Sequence, residues 1–125
     1  MDGDELQADA ERIALDLPET TQSQPFGPDY EVFKVAGKVF MMTTEVPGKK
    51  VVTLKCEPPH GEALRQEFEG IVPGYHMNKR HWISVGADER MTSELLEELV
   101  QNSYLLVLEG VPRSMRPIDL GAFTD

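Results

Sequence analysis

Cysteine, basic charge and long apolar runs are all scarce in this sequence. The single cysteine, Cys56, excludes an internal disulfide framework and any zinc site built from several thiolates. No apolar run approaches the roughly 20 residues needed to cross a bilayer, so no membrane role is expected. The acidic start (Asp2, Asp4, Glu5) does not read as a secretory signal, and a cytoplasmic location is the expectation. Basic residues number 12 against 22 acids, a formal net charge of −10. Such a balance repels nucleic acid and anionic membrane at long range. There is no G-x-G-x-x-G, no Walker loop and no G-x-S-x-G, so the common nucleotide-binding and hydrolase signatures are missing.

The rest of the composition is that of an ordinary globular domain. At 125 residues, 40% hydrophobic and 27% charged, the chain supports a single domain over 1–125. Area scaling buries about two-thirds of its surface without help from metal or disulfide. The charge is uneven. Residues 1–31 carry nine acids against Arg12, whereas residues 32–56 carry five lysines against Glu45. A basic middle therefore lies between acidic ends.

Residues 4–16 have Leu6, Ala10, Ile13, Ala14 and Leu17 at helical spacing, stopped by Pro18. Residues 18–29, with three prolines, read as a loop. Three strands follow over 30–36, 38–44 and 50–56, turning at Gly37 and at Pro47-Gly48, a type II pattern. Alternation in the third puts Val52, Leu54 and Cys56 on the core side and Val51, Thr53 and Lys55 on the other. Residues 60–69 read as a short helix with Leu64 and Phe68 on one face, ended by Gly70. A second hairpin over 71–87 turns at Asn78-Lys79. A last helix runs from the Thr92 cap to about Glu109, with Leu95, Leu96, Leu99, Val100 and Leu106 as its stripe. The order α-β-β-β-α-β-β-α, with hairpin-linked strands, predicts an α+β fold: an antiparallel sheet with helices on one face.

Few residues in this pattern suggest chemistry. Cys56 falls mid-strand on the core face, where a thiol is usually inert. Glu94, Glu97 and Glu98 share a helix side, the common pattern of a solvated face. His60 reads as a helix-start or surface residue. A symmetric turn at Asn78-Lys79 would place His76 across from His81, within reach of one metal ion. Zinc needs further ligands that the sequence does not supply nearby, so no metal site is expected. The same register sets Tyr75 opposite Trp82 on the face away from the core, with Arg80 beside them. An aromatic pair next to a guanidinium can stack bases or anchor a protein partner.

The run Pro73-Gly-Tyr-His-Met-Asn-Lys-Arg-His-Trp82 resembles the hallmark of the MmcQ/YjbR family of small bacterial proteins. Pro25-Phe26-Gly27, Val32–Phe40, Leu54-Lys55 with Pro58-Pro59, and Ser103-Tyr104 with Val111-Pro112 match its other signatures. The similarity runs from about Arg12 to Arg116 and leaves 117–125 as a tail. It implies a CyaY-like or secretion-chaperone-like fold, no catalytic residues and no cofactor. Members of that family are often labelled DNA-binding. Frataxin-like domains of similar fold hold iron on acidic helix faces and partners on a sheet tryptophan, which directs attention to Trp82.

The resulting expectation is a non-enzymatic binding domain, nominally for DNA and with weak affinity. Its site would be Tyr75, Asn78, Lys79, Arg80 and Trp82 on the hairpin, with Lys34, Lys38 and Lys55 on the sheet. The alternative is a protein–protein adaptor or chaperone-like domain using the same open face. A metal protein centred on His76 and His81 ranks last.

Overall fold

The computed structural model describes residues 1–75 and 77–118. His76 and residues 119–125 lie outside the described residues, and with them the paired-histidine expectation and most of the expected tail.

Helix α1 spans Gly3–Asp16. Asp2 caps it reciprocally: its carboxylate accepts from the Glu5 N–H at 2.8 Å, and the Glu5 carboxylate accepts from the Asp2 N–H at 3.2 Å. Leu6, Ala10, Ile13 and Ala14 form its buried stripe, as their spacing predicts. The expected loop over 18–29 contains one short strand, β1 (Thr21–Ser23), which pairs with β2 (Tyr30–Val35). All three β1 residues are exposed, so no hydrophobic alternation marked them in the sequence.

Strand β2 turns into β3 (Lys38–Val46) through Ala36 and Gly37, both at positive φ (49° and 77°). That is the geometry of a type I′ turn, whose twist suits a two-residue hairpin. Strand β3 turns into β4 (Lys49–Lys55) through Pro47-Gly48, with Gly48 at φ 79° as a type II turn requires. Helix α2 (Pro58–Glu67) begins earlier than expected, because Pro58 and Pro59 occupy its first turn. Proline has no N–H to lose there, and its fixed φ suits a helix start. The helix ends at Phe68, which is already extended, rather than at Gly70. Strands β5 (Ile71–Pro73) and β6 (Trp82–Val85) and helix α3 (Ser93–Glu109) complete the core elements. Thr92 caps α3 by accepting from the Leu95 N–H at 3.1 Å.

The strands form one antiparallel sheet in the order β1-β2-β3-β4-β6-β5. Helices α1 and α3 cover one face, giving the α+β architecture that the element order implies. Helix α3 buries Leu96, Leu99, Val100, Ser103, Tyr104, Val107 and Leu108, whereas Leu95 and Leu106 are only partly buried. Tyr104 is fully buried and meets Phe40 edge-on at 5.3 Å between centroids, while its hydroxyl donates to the Pro18 carbonyl at 2.7 Å. Desolvation, with the Glu19 charge second, pushes that phenol up to about 12. Among the described residues, no helix is long and apolar enough to cross a membrane.

The second face of the sheet differs from the expected open platform. Val32, Met42, Thr44, Val51, Thr53 and Ser84 alternate with the core residues and are themselves buried. Part of the reason is the segment after β5. Ser84 and Thr53 hydroxyls meet at 2.7 Å on that face, and the Tyr75 N–H donates to Ser84 Oγ at 2.9 Å. The Tyr75 backbone is thereby held against that face.

Candidate functional site

The second hairpin is one residue out of the expected register. Ile71 pairs with Val85, Val72 with Ser84 and Pro73 with Ile83. The loop is therefore odd in length, and Gly74 rather than Tyr75 faces Trp82. The Gly74 N–H donates to the Trp82 carbonyl at 2.9 Å, and a Cβ on Gly74 would lie 2.6 Å from the Trp82 Cβ. The Tyr75–Trp82 pair does not form. Strand parity still puts Trp82 on the face away from the helices, because Ile83 and Val85 belong to the core. The indole is partly buried there.

Tyr75 instead borders an open cleft of about 630 Å³ between the start of β4, the Gly70 and Gly86 backbones and the N-terminus of α1. Asp2, Asp4, Glu45, Glu69, Lys49 and Lys50 supply its charges. Lys50 is bound to Asp4, and that hydrogen bond raises the ammonium pKa above its usual value. Asn78 organises the turn. Its side chain accepts from the Arg80 N–H at 2.9 Å and its carbonyl accepts from the His81 N–H at 3.2 Å. Lys79 Nζ donates back to the Gly74 carbonyl at 3.1 Å. Asn78, Lys79, Arg80 and His81 are all exposed. The His81 carbonyl accepts from the Cys56 N–H at 2.8 Å, extending the β4–β6 ladder by one rung.

Two of the expected lysines join Trp82. Lys55 pairs with Trp82 across β4 and β6, and Lys34 pairs with Val39 across β2 and β3. Both lysines alternate with core residues, so they lie on the second face. The Lys34–Val39 and Lys55–Trp82 pairs thus form a staggered row at that end of the sheet, offset by one residue at the unmatched Phe40. Lys38 does not join them. It pairs with the core residue Val35 and so falls on the helix side of the hairpin turn. Among the described residues, Lys34, Lys55, Lys79 and Arg80 make no ion pair; the three that form are Arg12–Asp9, Lys50–Asp4 and Arg90–Glu67.

Other candidates have structural surroundings. Cys56 is buried, and desolvation, followed by the Glu57 charge, pushes its thiol up to about 11. Glu94, Glu97 and Glu98 are exposed on α3, and His60 is exposed on α2. No group of three metal-ligating side chains occurs among the described residues.

Residues 15–106 match the YjbR family. The chain belongs to that family. It is 42% identical over 113 residues to the Escherichia coli O157:H7 protein named uncharacterized protein YbdF, covering 90% of this chain and 93% of the relative. Against uncharacterized protein YjbR of Escherichia coli K12 the identity is 33%, with 68% and 72% of the two chains covered. The crystal structure of Deinococcus radiodurans protein DR2400, described as a DUF419 domain, superposes with a TM-score of 0.78. It shares 36% identity and covers 92% of this chain and 87% of its own. A Pseudomonas syringae crystal structure gives a TM-score of 0.68 at 28% identity, covering 76% and 92%. The YjbR fold is therefore shown both by sequence and by shape.

Within this YjbR domain, three residues outside the expected site support the row; two of them, Gly74 and Ser103, stand within the family signatures. Gly74 sets the register, Ser84 ties the loop to the second face, and Ser103 reaches the sheet from α3. The signal for Gly74 was available: a glycine beside a tryptophan's strand partner marks close backbone approach.

Proposed function

We propose that this YjbR domain is a non-catalytic binding module that holds single-stranded DNA weakly across the Lys34–Lys55–Trp82 row. The observation that carries this reading is that unpaired lysines and the one tryptophan share a row at one end of the second face. Lys79 and Arg80 on the adjoining turn add two exposed cations. Lysines on this row can neutralise phosphates while a base stacks on the indole, an interaction worth about 1–3 kcal/mol. A duplex hides its base faces and gains nothing from Trp82, so the single strand is favoured. Burial of the Cys56 thiol and solvation of the α3 glutamates support binding rather than catalysis.

The footprint is small. About three phosphate contacts give a log–log salt slope near −2 for a single strand and an affinity no better than about 10⁻⁵ M at physiological salt. The net charge of −10 opposes encounter at long range. The test is anisotropy of a labelled oligonucleotide at about 50 and about 200 mM salt, with wild type and a Lys34→Ala/Lys55→Ala variant. The reading expects roughly 20-fold weakening over that range and a flatter dependence in the variant. Absence of binding at the lower salt rejects it.

The protein-adaptor reading has its own support. Phe26 is 70% exposed and meets Tyr30 edge-on, next to the fully exposed edge strand β1. Exposed apolar rings and free strand edges both suit a protein partner. Retained capture of a partner by Lys34→Ala/Lys55→Ala, together with loss on Phe26→Ala, would favour it over the DNA reading.

A further inference from the structure

The β3–β4 ladder ends one rung early, and a helix side chain takes the place of the missing rung. The last pair is Met41 with Leu54. Phe40 and Lys55 should come next, but the Ser103 hydroxyl of α3 stands between them. It accepts from the Lys55 N–H at 2.8 Å and donates to the Phe40 carbonyl at 2.6 Å. Ser103 is fully buried, so no water competes for these two groups. Phe40 is also the extra residue of a bulge: Phe33 pairs with Met41 and Lys34 with Val39, leaving Phe40 unmatched on β3. A bulge re-aims the residues beside it. One hydroxyl thus grips both the strand that carries Lys55 and the bulge that sets the register of Lys34.

We propose that Ser103 is the positioning residue of the anion-binding row, fixing the separation between Lys34 and Lys55 so that one strand can engage both. This rests on the single-strand reading above. Ser103 touches no ligand itself. It acts by keeping β3 and β4 splayed by one hydroxyl at the level of Lys55, a spacing that a direct backbone rung would close.

The experiment compares wild type, Ser103→Ala, Ser103→Thr and Lys49→Ala, which lies at the far end of β4. Two readouts are taken: the salt slope for a labelled single strand, and amide hydrogen exchange at Lys55. Ser103→Ala should lose about one contact, flattening the slope from about −2 to about −1.4, and should expose the Lys55 amide to exchange. Ser103→Thr, which keeps the hydroxyl, should recover both. Lys49→Ala should leave the slope unchanged. Simple destabilisation would lower the folded fraction without altering the slope, which separates it from positioning. Wild-type slope and wild-type Lys55 protection in Ser103→Ala overturn the proposal. If wild type fails to bind any strand, the underlying reading falls and the positioning role falls with it, whereas wild-type binding with an unaffected alanine variant rejects Ser103 alone.

Discussion

Gly74 and Trp82 face each other across β5 and β6 so closely that no side chain fits on Gly74. The backbone hydrogen bond is 2.9 Å and a Cβ would come within 2.6 Å of the Trp82 Cβ, with the Trp82 carbonyl carbon and oxygen close behind at 3.0 and 3.1 Å. Backbone atoms cannot swing aside as a flexible side chain can. Gly74→Ala should therefore cost about 1–3 kcal/mol in chemical denaturation, the range for overpacking. Because Trp82 is the sole tryptophan, the same variant should shift its emission. Wild-type stability with wild-type emission would show that the two strands are less tightly set than this.

Ser84 is the knot of the second face. Its hydroxyl meets Thr53 Oγ1 at 2.7 Å and accepts from the Tyr75 N–H at 2.9 Å, with no exposure to solvent. Ser84→Ala leaves a buried hydroxyl and a part-buried N–H without that partner, a loss of about 1–3 kcal/mol. Faster exchange at the Tyr75 amide should accompany it. Adding Thr53→Val should cost less than its single-variant effect, since the partner hydroxyl is then already gone. Strict additivity in the double-mutant cycle would contradict a shared hydrogen bond.

The stripe of α1, the alternation of β4 and the Thr92 cap of α3 were legible in the sequence because each depends on neighbours a few residues apart. Leu6, Ala10, Ile13 and Ala14, or Val52 and Leu54, declare their faces by spacing alone. The register of β5 on β6 was not legible. Even and odd turns around Asn78 satisfy the same hydrophobic pattern, and a slip of one residue decides whether Tyr75 or Gly74 meets Trp82. Strand β1 was hidden for another reason: Thr21, Gln22 and Ser23 bury nothing, and pair only because β2 offers an edge. In the candidate site, parity set Lys55 and Trp82 on the second face; Lys34 and Lys38 were expected only on the sheet, and the two-residue turn sets Lys38 on the side of Val35, away from Lys34. Ser103 could not be found from spacing, since its partners lie 48 and 63 residues away.

The Cys56 thiol should be silent in the native protein. With its pKa near 11, about one molecule in a thousand carries a thiolate at pH 8, and the side chain is 2% exposed. Reaction with a thiol reagent should be slow in buffer and rapid in denaturant. Rapid stoichiometric labelling of the folded protein would overturn the inert assignment and reopen a nucleophilic role.

Glu11 gives the pH dependence a definite sign. Burial, and then the Glu31 charge, hold its pKa above the ordinary 4.5, against a hydrogen bond at 3.4 Å from the Thr43 hydroxyl. The folded protein therefore binds this proton more tightly than the unfolded chain, and ionised Glu11 opposes folding. That penalty is present above the raised pKa and is relieved as pH falls through it. Glu11→Gln should be the more stable protein at neutral pH, with the difference narrowing as pH falls toward 4.5. Melting temperatures that diverge instead as the solution is acidified would reverse the assignment.

The most direct test of the binding row uses Trp82 itself. Titrate the wild-type protein with an unlabelled oligodeoxythymidine strand at about 50 mM salt and follow tryptophan emission. Saturable quenching is expected with a midpoint of about 10⁻⁶ M or weaker, reversal at about 200 mM salt, and a much smaller effect from a duplex of the same length. Emission that stays unchanged up to about 10⁻⁴ M strand, or that responds to duplex and single strand alike, would contradict a site built on Lys34, Lys55 and Trp82.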